Sequence, residues 1–160
     1  MMDRHSKDAL NIVEDCLTGQ EIADLHATHL EFARASSPSC AVHSFEIERL
    51  RAPDITFWSA WRGDLLLGCI ALKELSPDHG EIKSMHTTAA SRRSGIGGRL
   101  LTLLLDIARQ RGYQRLIFES GSSAQFAPAQ RIYEQYGFLE FPPLGDYVDD
   151  GFIMFLTLIL

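Results

Sequence analysis

The chain has 160 residues and a formal net charge of −6, from 21 acidic side chains against 15 lysines and arginines. Hydrophobic residues make up 46% of it and charged residues 22%, near the averages of globular domains, which excludes the disordered and fibrous classes. The negative net charge argues against a nucleic-acid partner, and no apolar run is long enough for a membrane helix. We therefore expect one soluble domain over residues 1–160, with no nucleic-acid and no membrane partner.

The cysteines and the amino terminus indicate the compartment. Cys16, Cys40 and Cys69 are widely spaced and form no C-x-x-C pair, so neither a disulfide framework nor a zinc site is predicted. The amino terminus has no signal-peptide pattern. His26 and His29 stand three residues apart with no third ligand placed by the sequence, so we expect no metal. The prediction is a cytoplasmic protein with reduced cysteines.

The first half of the chain predicts a strand, a helix and a hairpin. Thr18 and Glu21 form a capping-box pattern at the start of the helix, and the turn Arg62-Gly63-Asp64 joins the two hairpin strands. In chain order the predicted elements are a strand from Ala9 to Glu14, a helix from Thr18 to about Arg34 ended by the SSPS sequence at 36–39, a short helical segment around 44–50, and strands from Ile55 to Trp61 and from Leu65 to Leu75.

The second half predicts strands and helices in alternation. The elements are a strand from Glu81 to Thr87, a helix from about Gly97 to Arg111, a strand from Arg115 to Ser120, a helix from Ala127 to Tyr136, and strands near Phe138 and Phe152. Antiparallel strands followed by this alternation predict a mixed sheet with a crossover unit. Ligands of such sheets collect at the carboxyl ends of the strands, where the segment SRRSGIGGRL at 91–100 lies.

That segment has the composition of a phosphate-binding turn. A leucine-rich stripe after it should dock the helix on the sheet, which fixes a helix start with unpaired N–H groups and a positive dipole end. Gly95, Gly97 and Gly98 allow close approach of a phosphate, and the segment contains three arginines and no acid. The alternative is a solvated loop that only begins a helix, since short glycine motifs often arise by chance. Neither G-x-G-x-x-G nor a P-loop is present.

Residues 92–97, RRSGIG, match the pattern [QR]-x-x-G-x-[GA] between a strand and a helix. With EIKSMHT before it and AQRIYEQYGF after it, this region resembles the GNAT superfamily of N-acetyltransferases over about the second half of the chain. The resemblance implies an α/β fold of the α+β type: a mixed, mostly antiparallel central sheet with a splayed strand pair and helices on both faces.

The resemblance also implies an enzyme that moves acetyl from acetyl-CoA directly to a primary amine, without a metal. Acidic residues at 146–150 favour a cationic small molecule or amino acid as acceptor, although they could equally form a plain acidic turn. The alternatives are a non-catalytic acyl-CoA-binding module and an acetyltransferase acting on a protein amine. The apolar last strand is consistent with a homodimer, as in some relatives.

Site residues follow from the same resemblance. Backbone groups of Met85 and Thr87 would meet the thioester carbonyl and the pantetheine, and Tyr133 would be the general acid. Glu81 is the first choice as base and Glu119 the second, while His86 more simply lines the site. The full set of expected cofactor-binding residues is Met85, His86, Thr87, Arg92, Arg93, Ser94, Gly95, Ile96, Gly97, Gly98, Arg99, Phe126 and Ala129. The family often has glycine where Arg93 stands and asparagine where Phe126 stands.

Strand alternation makes a further prediction about the strand from Glu81 to Thr87. It places Glu81, Lys83, Met85 and Thr87 on one face of the sheet, and Ile82, Ser84 and His86 on the other.

Overall fold

A computed structural model describes residues 9–36, 47–141 and 153–160. Its seven-stranded sheet has the order β1-β2-β3-β4-β5-β7-β6, in which β4 and β5 run parallel and the other neighbours antiparallel. The elements are β1 Leu10–Glu14, α1 Gln20–Ser36, β2 Ile55–Arg62, β3 Leu65–Ser76, β4 His79–Thr87, α2 Ile96–Gln110, β5 Arg115–Gly121, α3 Ala127–Gln135, β6 Leu139–Phe141 and β7 Ile153–Ile159. The predicted α+β class and mixed sheet are confirmed.

The predicted elements agree with the structure to within a few residues, except at the start of α1. The helix begins at Gln20, and the Thr18 hydroxyl contacts Cys16 Sγ at 3.2 Å, so the predicted capping box is wrong. A 3-10 helix, Arg49–Arg51, stands at the end of the predicted helical segment around 44–50. Residues 44–46 of that segment, the SSPS turn after residue 36, Cys40, the acidic residues at 146–150 and Phe152 lie outside the described residues.

Helices cover both faces of the sheet. On one face, α1 packs Ile22 and Leu25, together with Leu17 just before the helix, against Cys69 and Ala71 of β3. On the other, α2 buries the leucine stripe against the opposite side of β3, β4 and β5; its fully buried members are Leu100, Leu101 and Leu104. The stripe recurs every three or four residues, as a helix lying on a sheet requires. These two cores hold the start of α2 fixed relative to the strands.

The parallel pair at the centre of the sheet is open at one end. Strands β4 and β5 pair only from His79↔Arg115 to Ile82↔Phe118, and beyond these residues they separate. The backbone edge of β4 from Lys83 onward therefore faces a gap instead of a neighbouring strand. This is the splayed pair that the sequence resemblance implied.

A β-bulge in β4 lies at the point of separation. Cys69 pairs with His86 and Ala71 with Lys83, so two residues of β4, Ser84 and Met85, oppose one of β3. Ser84 adopts φ 51°, and its carbonyl accepts a hydrogen bond from Cys69 Sγ at 3.2 Å.

The bulge shifts the alternation of side chains by one residue. Lys83 and His86 pair with residues of the α1-side core, whereas Met85 packs on the α2 side. The prediction that Met85 shares a face with Lys83, and that His86 lies opposite both, is therefore wrong, because simple alternation holds only for a regular strand.

Candidate active site

The gap between β4 and β5 is the deep end of a cavity of about 870 Å³. Its lining comes from β4, β5, the turn before α2, α3 and one side of α1. The size falls in the upper part of the range for ligand sites, roughly 300–1,000 Å³. Among the described lining residues, Lys83, Arg92, Arg93 and Arg131 are cationic and Glu119 is acidic. The cavity therefore favours a large ligand that carries negative charge.

The arginine- and glycine-rich turn forms one rim of this cavity. Arg93 and Gly95 both have left-handed backbone angles, φ 62° and 81°, and Gly95 is the cap residue of α2. No side chain among the described residues caps this helix start, and its first intrahelical bond runs from Arg99 N to Gly95 O at 3.1 Å. The amides of residues 95–98 thus lie at the positive end of a helix that the core holds in place, where they can donate to a ligand.

Contacts with α3 fix the first turn of α2. The Tyr136 hydroxyl donates to Gly98 O at 2.8 Å and also lies 2.9 Å from Thr102 Oγ1, which donates to the same carbonyl. A Cβ at position 97 would lie 2.9 Å from Met85 Cε and 3.4 Å from Ile132 Cδ1. Glycine at this position therefore lets the helix start approach β4 and α3 closely.

Tyr133 stands at the inner end of the cavity. Its ring is fully buried, stacks on Phe118 with centroids 4.0 Å apart, and meets Phe138 edge-on at 5.3 Å. Its hydroxyl donates a hydrogen bond to Met85 Sδ at 2.8 Å. Burial raises the pKa of Tyr133 well above its ordinary value, because the phenolate would lose its hydration. The phenol is therefore neutral, and its hydrogen bond to Met85 directs its proton towards a sulfur atom.

A different group of side chains lines the cavity on the α1 side of the sheet. His29 of α1 and His86 of β4 approach with their Nδ1 atoms 3.3 Å apart. Burial is the main cause that lowers the pKa of His29 to about 3, and the neighbouring His86 and His26 lower it further. Burial likewise lowers the pKa of His86 to about 4, with Arg92 and His26 as the next causes. Both imidazoles are therefore neutral at pH 7.

The two carboxylates considered as bases occupy different places. Glu119 lines the cavity from β5. Glu81 lies where β4 and β5 are still paired and does not line it; its carboxylate is 2.8 Å from Lys83 Nζ, and both side chains are largely buried. A role for Glu81 in the cavity would require a water-mediated path or release from Lys83.

Most of the predicted site residues meet in one place. The cavity is lined by Met85, His86, Thr87, Arg92, Arg93, Gly95, Ile96, Gly97, Gly98, Glu119, Phe126, Ala129 and Tyr133. Ser94 and Arg99, like Glu81, are not among its lining residues. Ser94 instead donates its hydroxyl to Ser91 O within the turn.

Sequence reasoning missed several lining residues on α1 and α3. Examples are His29, Phe32, Arg131 and Tyr136. The spacing of His26 and His29 along the helix gives no sign of a partner for either ring, and no group of three metal-ligating side chains occurs in residues 9–36, 47–141 and 153–160. The partner of His29 is 57 residues away in the chain, which spacing along one helix cannot indicate.

Comparison with known proteins gives a consistent result. The model of the family described as "Acetyltransferase (GNAT) family" matches residues 22–138. The chain is 45% identical over 148 residues to the uncharacterized N-acetyltransferase YsnE of Bacillus subtilis, covering 92% of this chain and 98% of that protein. It is 37% identical over 149 residues to the uncharacterized N-acetyltransferase YedL of Escherichia coli, covering 93% and 94%.

A solved structure shares the fold. A GNAT family acetyltransferase from Elizabethkingia anophelis with acetyl-CoA bound superposes with a TM-score of 0.70 at 21% identity, over 96% of this chain and 99% of that one. No helix among the described residues combines the length and apolar character needed to cross a membrane.

Proposed function

Because this chain belongs to the GNAT family of acetyltransferases, we propose that it transfers the acetyl group of acetyl-CoA directly to the primary amine of a small molecule or amino acid. The observation that carries the proposal is the fork between β4 and β5, with a neutral buried phenol at its inner end and a cationic turn at its rim. In a forked sheet of this kind, the strand edges that lack a neighbouring strand can hold the long coenzyme A part of acetyl-CoA, called the carrier below.

The turn before α2 suits the phosphate groups of the carrier. Arg92 and Arg93 line the rim, and the amides of Gly95, Ile96, Gly97 and Gly98 lie at the start of α2. Backbone N–H groups and a helix dipole favour an anion at this position. Phe126 and Ala129 line the wall beyond them and suit the apolar part of the carrier. We assign Ser94 and Arg99 a supporting role, since they border the turn without lining the cavity.

The edge of β4 suits the thioester. Met85 and Thr87 follow the bulge and line the gap, so their backbone groups have no β5 residue paired with them. An amide directed at the thioester oxygen would stabilise the charge that develops there as the amine attacks, an effect usually worth about 2.7–4 kcal/mol for one donor. The bulge therefore matters more than the side chain at position 85.

Tyr133 suits the role of general acid. As the carbon–nitrogen bond forms and the carbon–sulfur bond breaks, the departing thiolate needs a proton. The Tyr133 hydroxyl already donates to a sulfur atom, Met85 Sδ, and its environment keeps it protonated. Because a methionine side chain is flexible, Met85 can move aside for the carrier.

The α1 side of the cavity suits the acceptor. Phe32 of α1 lies on this side and meets Phe126 of the carrier wall edge-on, with centroids 5.3 Å apart, and Glu119 adds a negative charge to the same cavity. These features fit a compact amine with an apolar part better than a long peptide. Glu119 is the carboxylate best placed to attract a cationic amine to this side.

Replacement of Tyr133 by phenylalanine tests the proposal. We expect Tyr133→Phe to lower kcat about 100-fold against the best amine of a panel, since positioned acids contribute roughly 10²–10⁴-fold, and to leave CoA affinity unchanged. Free-thiol release measures turnover, and calorimetry measures CoA binding.

Tyr113→Phe is the matched control. Tyr113 is also buried, but it does not line the cavity, and its hydroxyl donates a hydrogen bond to Glu74 Oε2 at 3.0 Å. If the wild type binds CoA and yet acetylates no amine tested, the protein is a CoA-binding module and the proposed transfer is wrong. If lysine-containing peptides are acetylated and small amines are not, the acceptor is a protein amine.

A further inference from the structure

Two imidazoles meet at the border between α1 and the splayed end of β4. His29 and His86 both line the cavity, and their rings stand edge-on with centroids 5.1 Å apart and Nδ1 atoms 3.3 Å apart. The bulge at Ser84 creates this contact, because it turns His86 to the α1 side of the sheet. The same bulge turns Met85 towards Tyr133 on the other side.

The contact dictates the tautomers of the pair. A hydrogen bond between two Nδ1 atoms requires one ring to carry the Nδ1 proton and the other to offer a lone pair. The first ring then has a free lone pair on Nε2, and the second carries its proton on Nε2. The pair can therefore accept a proton at one end and release one at the other, with a shared proton crossing between the rings.

Burial keeps the pair neutral, and the charges around it add a smaller effect. Arg92 faces His86 from the turn, Lys83 and Glu81 share its face of β4, and His26 lies on α1 next to His29. The low pKa of each ring means that an added proton does not stay. The histidine pair is therefore better suited to pass a proton on than to remain protonated.

The position of the pair complements that of Tyr133. Tyr133 approaches the fork from the α2 and α3 side, and the histidines approach it from the α1 side, yet all three line one cavity. A thioester held in the fork would thus have a proton donor on the side of its sulfur and a proton acceptor on the opposite side. This is the arrangement that an amine attack requires, since the amine loses a proton while the thiolate gains one.

We propose that His86 and His29 form a proton relay for the acceptor amine, an inference that rests on the proposed acetyl transfer. As nitrogen bonds to the acyl carbon and sulfur leaves, a proton passes from nitrogen to His86 Nε2. The shared Nδ1 proton then moves to His29, which releases its Nε2 proton to solvent. Before the next turnover His29 Nε2 takes a proton from solvent, the shared proton returns to His86 Nδ1, and His86 Nε2 gives its proton to solvent, which restores the starting tautomers. The thiolate takes its proton from Tyr133, which regains one from solvent, so a neutral amine gives amide and free thiol with no net proton change.

Asparagine variants test the relay, because asparagine is polar and of similar reach but carries no proton between its ends. We expect His86→Asn and His29→Asn each to lower kcat at least about tenfold with CoA affinity unchanged. The loss should be smaller for amines of lower basicity, whose proton leaves more easily. His79→Asn, the same change at the outer end of β4 and away from the cavity, should leave kcat unchanged.

Nitrogen-15 NMR of the imidazoles adds a readout that does not depend on turnover. In the unliganded protein we expect His86 as the Nδ1–H tautomer and His29 as the Nε2–H tautomer, and each asparagine variant should change the signal of the remaining ring. Two Nε2–H rings without coupling, or the reversed assignment, would overturn the relay.

The kinetic outcomes separate the relay from the proposed function. If the wild type acetylates an amine and both asparagine variants keep its kcat, the relay is wrong and the proposed transfer stands. A loss confined to Glu119→Gln would assign proton removal to that carboxylate and also overturn the relay. If wild type and His79→Asn acetylate no amine, the proposed function fails, and the relay fails with it.

Discussion

Two L-residues beside the cavity, Ser84 at φ 51° and Arg93 at φ 62°, hold backbone angles that favour glycine. The left-handed region costs an L-residue roughly 1–2 kcal/mol, so the surrounding structure must hold both in place. At Ser84 the bulge and the bond from Cys69 do so. At Arg93 the conformation explains why glycine is common in the family, and the arginine keeps a positive charge at the rim despite the strain.

Paired substitutions at Arg93 separate its charge from its backbone. Arg93→Gly and Arg93→Ala remove the same charge, but only glycine relieves the strain. We expect the free energy of unfolding of Arg93→Gly to be higher than that of Arg93→Ala by about 1 kcal/mol. The greater conformational entropy of glycine in the unfolded chain reduces this difference. Urea unfolding measures the difference.

Calorimetric titration of the same two variants reports on the charge. Both variants lack the Arg93 charge and should therefore bind CoA more weakly than wild type. They should do so to the same extent, because they differ from each other only in the backbone strain at position 93. Equal stability of the two would contradict the strained backbone, and affinities equal to that of wild type would assign the Arg93 charge to solvent.

At the scale of elements, the site depends on how α3 docks against the start of α2. Tyr136 at the end of α3 and Thr102, one turn after Gly98 in α2, both donate to the Gly98 carbonyl. Tyr133 lies almost one turn earlier on α3, so the same docking sets the phenol against Met85. The docking of α3 on α2 therefore sets the position of both the phosphate-binding turn and the proposed acid, Tyr133.

Removal of the Tyr136 hydroxyl tests this unit. We expect Tyr136→Phe to lower the free energy of unfolding by about 1 kcal/mol, the usual net value of such a hydrogen bond, and to weaken CoA binding by loosening the start of α2. Thr102→Ser, which keeps its hydroxyl, is the control and should bind CoA as wild type does. Unchanged stability and affinity in Tyr136→Phe would show that packing alone docks the two helices.

For the molecule as a whole, the buried histidines connect folding with pH. His29 and His86 have pKa values of about 3 and 4 in the folded protein, below the ordinary 6.5 that applies when the chain unfolds. Below pH 6.5 the unfolded chain therefore binds more protons than the folded one, and stability is lost as the pH falls. The protein should be stable near neutrality and sensitive to mild acid.

Urea unfolding at pH 7 and pH 5 measures this sensitivity. Each histidine contributes up to about 2 kcal/mol to the decrease over that interval, because its protonation favours the unfolded chain. His86→Asn removes one of these contributions and also one cause of the low pKa of His29, so the variant should lose less stability than wild type. An identical decrease in both proteins would contradict the neutral state of His86 in the fold.

Local patterns in the sequence predicted most of the elements and the phosphate turn. The leucine stripe of α2, the glycines at 95–98 and the turn between the hairpin strands at 62–64 act over a few residues, so their spacing alone indicates the structure that they form. Tyr133 and the residues of the turn could be named as site residues because the short motifs that contain them carry the resemblance to the family.

The α1 side of the site could not be predicted from local patterns, because it is formed by contacts between distant parts of the chain. The bulge at Ser84 arises where β4 pairs with β3, and it alone decides that His86, and not Met85, faces α1. His29 and His86 meet only because α1 packs on that face, and Glu81 is held by Lys83 because the bulge comes after both. Local spacing thus determined the elements and the anion site, while long-range strand pairing decided which side chains face the acceptor.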